Sequence, residues 1–318
     1  MAATGPEEIA PHPGDPDPGG PHPGDPDPGG PGAGDPDPGS AHPVDKDPGG
    51  PGARAAGPGE DPTREYELLR AEAATLYPGV RIGRPARARS YWPTITAMRL
   101  LRLRWAVQLE GADRVAPGPA ILIGNHVHFL DPVCVVMTVW WRVSAFTKLE
   151  WFEHRGAPFF RLMGQIPLRR GDPASTEWAM QMSRHALAGG GRIGLYPEGT
   201  RSPDPGTLHK LHKRVMIPLM EANPDVPVHV VTTRYEDRPF PRRVRVQVKV
   251  SDRLALDPRT MSAEQMTDLV RDELLRLGGQ DYSDRYAQEV KAELRAARSA
   301  RDHDGARGDT RADDHDGT

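Results

Sequence analysis

Nine residues, Gly124 to Pro132, read GNHVHFLDP and lie between the apolar runs PAILI and VCVVMTVWW. They set His126 and His128 one residue apart, with Asp131 three residues further on. Two chemistries fit this spacing. Paired imidazoles at the end of a strand are one way to hold a metal ion. A catalytic metal needs at least three protein ligands with support behind them. The stretch misses the His-x-His-x-Asp-His spacing of one metallohydrolase family by a residue and lacks its last histidine. Elsewhere His185 reads as helical, His229 as mid-strand, and His209 and His212 as parts of a basic stretch. The other chemistry uses a single histidine as general base, with a carboxylate on its second nitrogen to fix the tautomer. His126 and Asp131 are five residues apart, which on a continuous helix is a rotation of about 140°. They meet only if the chain turns between them, as a strand-to-helix loop allows. Asp131 also reads as a plain N-cap ahead of Pro132.

Two further loops carry chemistry. GQIPLRRGD, Gly164 to Asp172, puts Arg169 and Arg170 after a short apolar run. Arginine holds phosphate or carboxylate in a two-pronged geometry, although such a pair also suits a solvated surface. LYPEGTRSPDPGTLHKLHKR, Leu195 to Arg214, places Glu198, Gly199, Thr200 and Arg201 after a strand. Gly199 permits a tight turn and Arg201 can reach a phosphate. His209, Lys210, His212, Lys213 and Arg214 form a basic cluster suited to a polyanion such as a nucleotide pyrophosphate, or to solvent.

Short apolar runs alternate with helical patterns from Ala120 onward. AILI, RVSAFTK, QIPL, RIGLYP, VPVHVVTTRY and RVRVQVKVSD read as strands. DPVCVVMTVWW, PASTEWAMQMSRHALAGG and RTMSAEQMTDLVRDELLRLG read as helices, the last with Ser262 and Gln265 spaced as a capping box. WFEHRGAPFFRLMG is helical at both ends and interrupted at Gly156 and Pro158. The expected class is α/β, a mixed and largely parallel sheet flanked by helices, antiparallel toward its C-terminal end. Ligands of such sheets bind at loops leaving the C-terminal ends of strands. Upstream, Asp61, Pro62 and Glu65 open a helix. WPTITAMRLLRLRWAVQL, Trp92 to Leu109, sets Met98, Leu101, Trp105 and Leu109 on one helical face among arginines. Leu100, Leu103 and Val107 fall off that face. A basic, Trp-bearing helix of this kind suits a membrane interface or ordinary packing.

Charge is unevenly spread along the 318 residues. Residues 1–60 carry a net −9 and residues 299–318 a net −3; the whole chain is −3, so residues 61–298 carry +9. That basic middle suits anionic partners: phosphorylated ligands, an anionic membrane surface or nucleic acid. Residues 11–50 repeat a ten-residue unit such as PHPGDPDPGG, and 31 of the first 60 residues are proline or glycine, too few apolar groups to bury. They read as a disordered acidic spacer whose His12, His22 and His42 could bind metal weakly. The single cysteine, Cys134, reads as a core residue and fits a reducing compartment. No secretory signal is expected, and no run reaches the roughly 18 apolar residues that span a bilayer. The expected division is a tail over 1–60, a helical segment over 61–110, an α/β domain over 111–280, and a C-terminal helix with an acidic tail over 281–318.

Each loop is ambiguous alone, but their order and spacing are specific. NHVHFLD fits Asn-His-x4-Asp, GQIPLRR fits Gly-x-Ile-x-Val/Leu-x-Arg, and YPEGTRS fits Phe/Tyr-Pro-Glu-Gly-Thr-Arg-Ser. Over roughly Trp92 to Val250 the chain resembles the PlsC-type glycerolipid acyltransferases, 1-acylglycerol-3-phosphate acyltransferases in particular. The resemblance implies a glycerol-3-phosphate acyltransferase-like fold and transfer of a fatty acyl group from acyl-CoA or acyl carrier protein to a lysophospholipid hydroxyl. It implies no metal or other cofactor and no nucleic acid. His126 would be the general base and Asp131 its partner. Asn125, Arg170, Glu198, Gly199, Thr200 and Arg201 would bind substrate, with the arginines on the phosphate. Lys148, in FTKLEWF, matches a recurrent lysine of the family. Two blocks depart from the pattern: VPVHVVTT keeps one proline of Val-Pro-x-Val-Pro-Val, and LHKRV lacks the glycine of Phe-Lys-x-Gly. The resemblance also implies a peripheral or monotopic protein on the cytoplasmic face of the cell membrane, with residues 92–109 at the interface.

Overall fold

Along Ala120–Gly124, Ile121 and Ile123 join one buried cluster while Ala120 and Leu122 join another. Successive side chains of a strand point to opposite faces, so a strand covered on both sides reads as an unbroken apolar run. A computed structural model describes residues 61–85, 88–139, 141–236 and 243–309 of the chain. Residues 1–60 with their repeat, Trp140 and residues 310–318 lie outside the described residues, and with them the expectations for the N-terminal spacer and the end of the acidic tail.

In chain order the elements are α1 (Pro62–Leu76), α2 (Ala88–Met98), β1 (Trp105–Glu110), β2 (Ala120–Gly124), α3 (Asp131–Val139) and β3 (Val143–Lys148). Then come α4 (Glu150–Glu153), α5 (Ala157–Leu162), β4 (Ile166–Leu168), α6 (Pro173–Ala188), β5 (Arg192–Leu195) and β6 (Thr207–His209). The chain continues with α7 (Lys213–Glu221), β7 (Val228–Glu236), β8 (Val244–Val250), α8 (Ala263–Gly278), β9 (Asp281–Ser283) and α9 (Ala287–Asp309). Seven strands form one sheet in the order β1-β8-β7-β2-β5-β3-β4. From β7 to β4 the neighbours are parallel, β8 runs antiparallel to β7, and β1 lies parallel to β8. This is the mixed, mostly parallel sheet flanked by helices that the sequence predicts.

Each face of the sheet carries its own core. One cluster joins Ile121, Ile193 and Val230 to Leu69, Trp178, Met216 and Met266 of the helices. The other joins Leu122, Val231 and Val246 to Ile95, Cys134 and Val135. Full burial of each such large side chain contributes about 1.5–3 kcal/mol. α1 is tied to α6 by the Trp178 indole N–H donating to Leu69 O (2.8 Å) and by Tyr77 Oη and Ser175 Oγ at 2.6 Å. The expected caps form: Asp61 accepts from Thr63 N–H, and Ser262 and Gln265 close a reciprocal capping box. Burial raises the Cys134 thiol to about 11, which suits an inert core residue.

The helical reading of residues 92–109 holds only for its first half. After Met98 the chain makes a 3-10 turn over Arg99–Leu103, and Trp105–Glu110 is the edge strand β1. Val107, which falls off the helical face, is buried opposite Val246 of β8. Ladder pairing with a strand some 140 residues away, Val107↔Val246, overrides the local helical period. The boundaries expected at 110 and 280 fall within one compact unit, Ala56–Thr318, because α1 packs on α6, β1 completes the sheet and β9 pairs with β6.

Candidate active site

The loops after β2, β4 and β5 leave the same, C-terminal, edge of the parallel strands. Gly124 closes β2 beside Tyr196, which follows β5. A Cβ on Gly124 would meet the Tyr196 ring at 2.8 Å, so glycine lets that ring into the space under the next loop. The His126 imidazole stacks on it, with centroids 4.5 Å apart and planes 26° from parallel. Burial raises the Tyr196 phenol well above its usual range, so the platform stays neutral.

His126 and Asp131 meet. His126 Nδ1 lies 2.9 Å from Asp131 Oδ2. The chain turns between them because Asp131 N–H returns to His128 O (3.2 Å) and Leu130 N–H donates to His128 Nδ1 (3.2 Å). Asp131 does not cap its own helix. Its Oδ2 turns back and accepts the N–H groups of Val127 (2.9 Å) and His128 (2.8 Å). Its Oδ1 accepts from Thr233 Oγ1 (3.0 Å) and Tyr235 Oη (2.8 Å) of β7. A fully buried carboxylate needs such donors, and Asp131, with no exposed surface, has five. A carboxylate accepts only, so Nδ1 carries the imidazole proton and the Nε2 lone pair is left free. The His126 side chain keeps 21% of its surface exposed. His128 takes no part beyond the turn, its ring lying against Phe129 and Tyr235 at 4.7 and 4.8 Å. Among the described residues no three His, Cys, Asp or Glu side chains gather to hold a metal ion, so the His126–His128 pair finds no third ligand.

The residues expected around this pair divide in two. Asn125 and Glu198 are buried and hold the loop rather than face a substrate. Asn125 Nδ2 donates to Thr233 O (3.1 Å) and Gln280 Oε1 (2.9 Å), and its Oδ1 accepts from Thr233 N–H (2.8 Å). Glu198 Oε1 accepts the His126 backbone N–H (2.8 Å) and Oε2 that of His209 (3.2 Å). Burial raises its carboxyl to about 7, against the opposing pull of those two N–H groups. Ser202 N–H closes the clamp on His126 O at 2.6 Å. Gly199 has φ of 69°, where a side chain is strained, and a Cβ would also meet His212 at 2.8 Å. Its carbonyl accepts from Arg170 Nη2, which joins the second loop to the third. Thr200 Oγ1 lies 3.2 Å from Lys291 Nζ, while Arg201 and Lys148 are exposed.

The basic stretch from His209 to Arg214 is not an open polyanion site. His209 is buried in β6, and its ring Nδ1 lies 3.2 Å from Arg285 O. Lys210 pairs with Asp284 (3.1 Å), Lys213 with Glu264 (2.7 Å), and the His212 ring lies flat on Tyr286, 4.3 Å away at 5°. The C-terminal segment and α8 occupy these side chains. Sequence reasoning missed that, and also missed Tyr196, Thr233, Tyr235 and Gln280. Thr233 and Tyr235 are two apart on one strand and so share a face, but nothing local tells which face meets Asp131.

Residues 106–235, from β1 to the penultimate residue of β7, match the family model described as Acyltransferase. The match contains His126, Asp131, Arg170 and Glu198–Arg201. The chain is similar to the crystal structure of the 1-acyl-sn-glycerophosphate (LPA) acyltransferase PlsC from Thermotoga maritima, at 18% identity and a TM-score of 0.44. That alignment covers 73% of this chain and 98% of the other. No curated protein sequence matches the chain.

Proposed function

We propose that this chain, which carries an acyltransferase-family domain over residues 106–235, is a glycerolipid acyltransferase that acylates the free hydroxyl of lysophosphatidate. The observation that carries the reading is the His126–Asp131 pair, its Nδ1 held 2.9 Å from a fully buried carboxylate in a side chain that stays partly exposed. The donor is an acyl thioester, acyl-CoA or acyl carrier protein. Nε2 takes the proton of the acceptor hydroxyl as its oxygen attacks the thioester carbonyl. Asp131 stabilises the imidazolium that forms. The tetrahedral intermediate collapses to the ester, the carbon–sulfur bond breaks, and the leaving thiolate takes the proton back from Nε2. No acyl-enzyme forms. Arg201 and Lys148 hold the acceptor phosphate as charge-assisted partners. Arg170 orients the Gly199 turn from which Arg201 projects.

The reading places the protein on the cytoplasmic face of the membrane, as a peripheral or monotopic enzyme on an anionic surface. The net +9 of residues 61–298 supports this, as do exposed Leu100, Leu103, Phe129, Trp151 and Leu162. These lie on or beside α2, the 3-10 turn, α3, α4 and α5, which contact one another. Among the described residues no helix is long and apolar enough to cross a membrane.

The test is thiol release from oleoyl-CoA against a panel: lysophosphatidate, glycerol 3-phosphate, lysophosphatidylcholine, a lysoglycolipid and monoacylglycerol, with products identified by mass spectrometry. Phosphatidate from lysophosphatidate is expected. Preference for another acceptor would move the assignment within glycerolipids. Transfer to none would end it.

A further inference from the structure

The segment that follows α8 is strapped across the third loop. Gln280 reaches Asn125 (2.9 Å) and Pro205 O (2.9 Å), β9 pairs with β6, and Gln288 Oε1 meets His212 Nε2 (3.2 Å). The strap fixes the start of α9 and brings Lys291 to Thr200, its Nζ donating to the hydroxyl at 3.2 Å. Lys291 lies outside the acyltransferase match. It is half-buried among like charges. Burial first, then Arg201, Arg295 and Lys148, hold its ammonium below the usual lysine range, against the opposing pull of Glu198. No carboxylate forms an ion pair with Lys148, Arg201, Lys291 or Arg295 among the described residues. Arg295 is four residues beyond Lys291 on α9, hence on the same face, where two like charges weaken a helix. Arg201, Arg295 and Lys148 thus act on Lys291 as uncompensated like charges, next to the Thr200 hydroxyl it already holds. They fit a dianion that enters from solution.

We infer that α9 completes the phosphate site: Lys291, backed by Arg295, joins Arg201 and Lys148 in holding a phosphate monoester of the substrate against the Thr200 hydroxyl. The inference rests on the acyltransferase reading given above. Two sources supply that group, the acceptor headgroup and the 3′-phosphate of CoA. Binding energy at an acceptor phosphate enters KM for the acceptor.

The experiment compares wild type, Lys291→Met and Lys291→Arg as full-length proteins. Acceptors are lysophosphatidate and monoacylglycerol; donors are oleoyl-CoA and oleoyl-pantetheine, which has no nucleotide phosphate. For Lys291→Met we expect the KM for lysophosphatidate to rise about tenfold or more with little change in kcat, as loss of a charged hydrogen bond implies. Lys291→Arg should restore most of it. The same rise with oleoyl-pantetheine assigns the acceptor phosphate. A rise confined to the KM for oleoyl-CoA assigns the 3′-phosphate. Equal KM values in wild type and Lys291→Met for both phosphate-bearing substrates overturn the inference. So does a variant whose only change is a lower melting temperature. Calorimetry with glycerol 3-phosphate reads the site without turnover: wild type should bind and Lys291→Met should bind at least about tenfold more weakly. Equal behaviour there, whether both bind or neither does, excludes the acceptor phosphate, and together with an unchanged KM for oleoyl-CoA it overturns the inference. A wild type that binds glycerol 3-phosphate yet acylates no glycerolipid would sink the functional reading and leave the site standing.

Discussion

The tautomer of His126 depends on what surrounds its partner. Asp131 accepts from five donors, so an asparagine there must present an amide N–H where the carboxylate accepted. Facing His126 it also favours the other tautomer, with the proton on Nε2. Asp131→Asn should therefore lower kcat by about 10²–10⁴ and also lower the melting temperature. Steady-state kinetics and thermal unfolding on one preparation check both, and loss of stability with full kcat would contradict this role. Glu198 supplies a pH signature. Its carboxyl titrates near 7 folded against an ordinary 4.5, so between those values the folded state holds more protons than the unfolded one. Stability contributed by protonated Glu198 is thus full below about 4.5 and is lost as pH rises through 7, by on the order of 3 kcal/mol. Glu198→Gln should flatten that slope. Urea unfolding of both proteins from pH 5 to 8 reads the difference, and parallel profiles would contradict it. The His126–Asp131 pair was legible from spacing and motif. The donors from Thr233 and Tyr235 were not, because contacts across about a hundred residues leave no local pattern.

At the level of elements, the sequence showed most strands and helices because apolar period and caps agreed there, as in the Ser262–Gln265 box. It misread β1, where a helical stripe of Met98, Leu101, Trp105 and Leu109 competed with pairing to β8 that only the folded sheet offers. It missed β6 and β9, each three residues long, because runs so short carry no period. Those two strands turn the C-terminal segment from a tail into part of the site. Ending the chain after Gly279 removes Gln280 from Asn125, Tyr286 from His212 and Lys291 from Thr200. Activity should then fall by at least about tenfold, and the melting temperature by several degrees as contacts worth a few kcal/mol go. Ending it after residue 299 should change neither. Equal activity in the two truncations would show that the strap does not serve the site.

Over the whole molecule, a basic middle of +9 lies in sequence between acidic termini, and exposed apolar groups gather on the segments around α2. Composition displayed the charge asymmetry. Which leucines face outward became visible only with the fold. Replacing Leu100 and Leu103 together by aspartate should weaken binding to anionic vesicles by tenfold or more, since each buried leucine contributes about 1.5–3 kcal/mol. Vesicle sedimentation reads this, with circular dichroism to show an intact fold; unchanged binding would move the membrane contact elsewhere. Deleting residues 1–60 should leave kcat unchanged, and a large loss would give that repeat a role in turnover. The proposed function stands on acyl transfer with His126 as the base. Its most direct test is the rate of CoA release from oleoyl-CoA with lysophosphatidate, measured side by side for wild type and His126→Ala. The expected result is phosphatidate formation by wild type and a rate about 10²–10⁴ lower in the variant. Equal rates, or no phosphatidate from wild type, would contradict it.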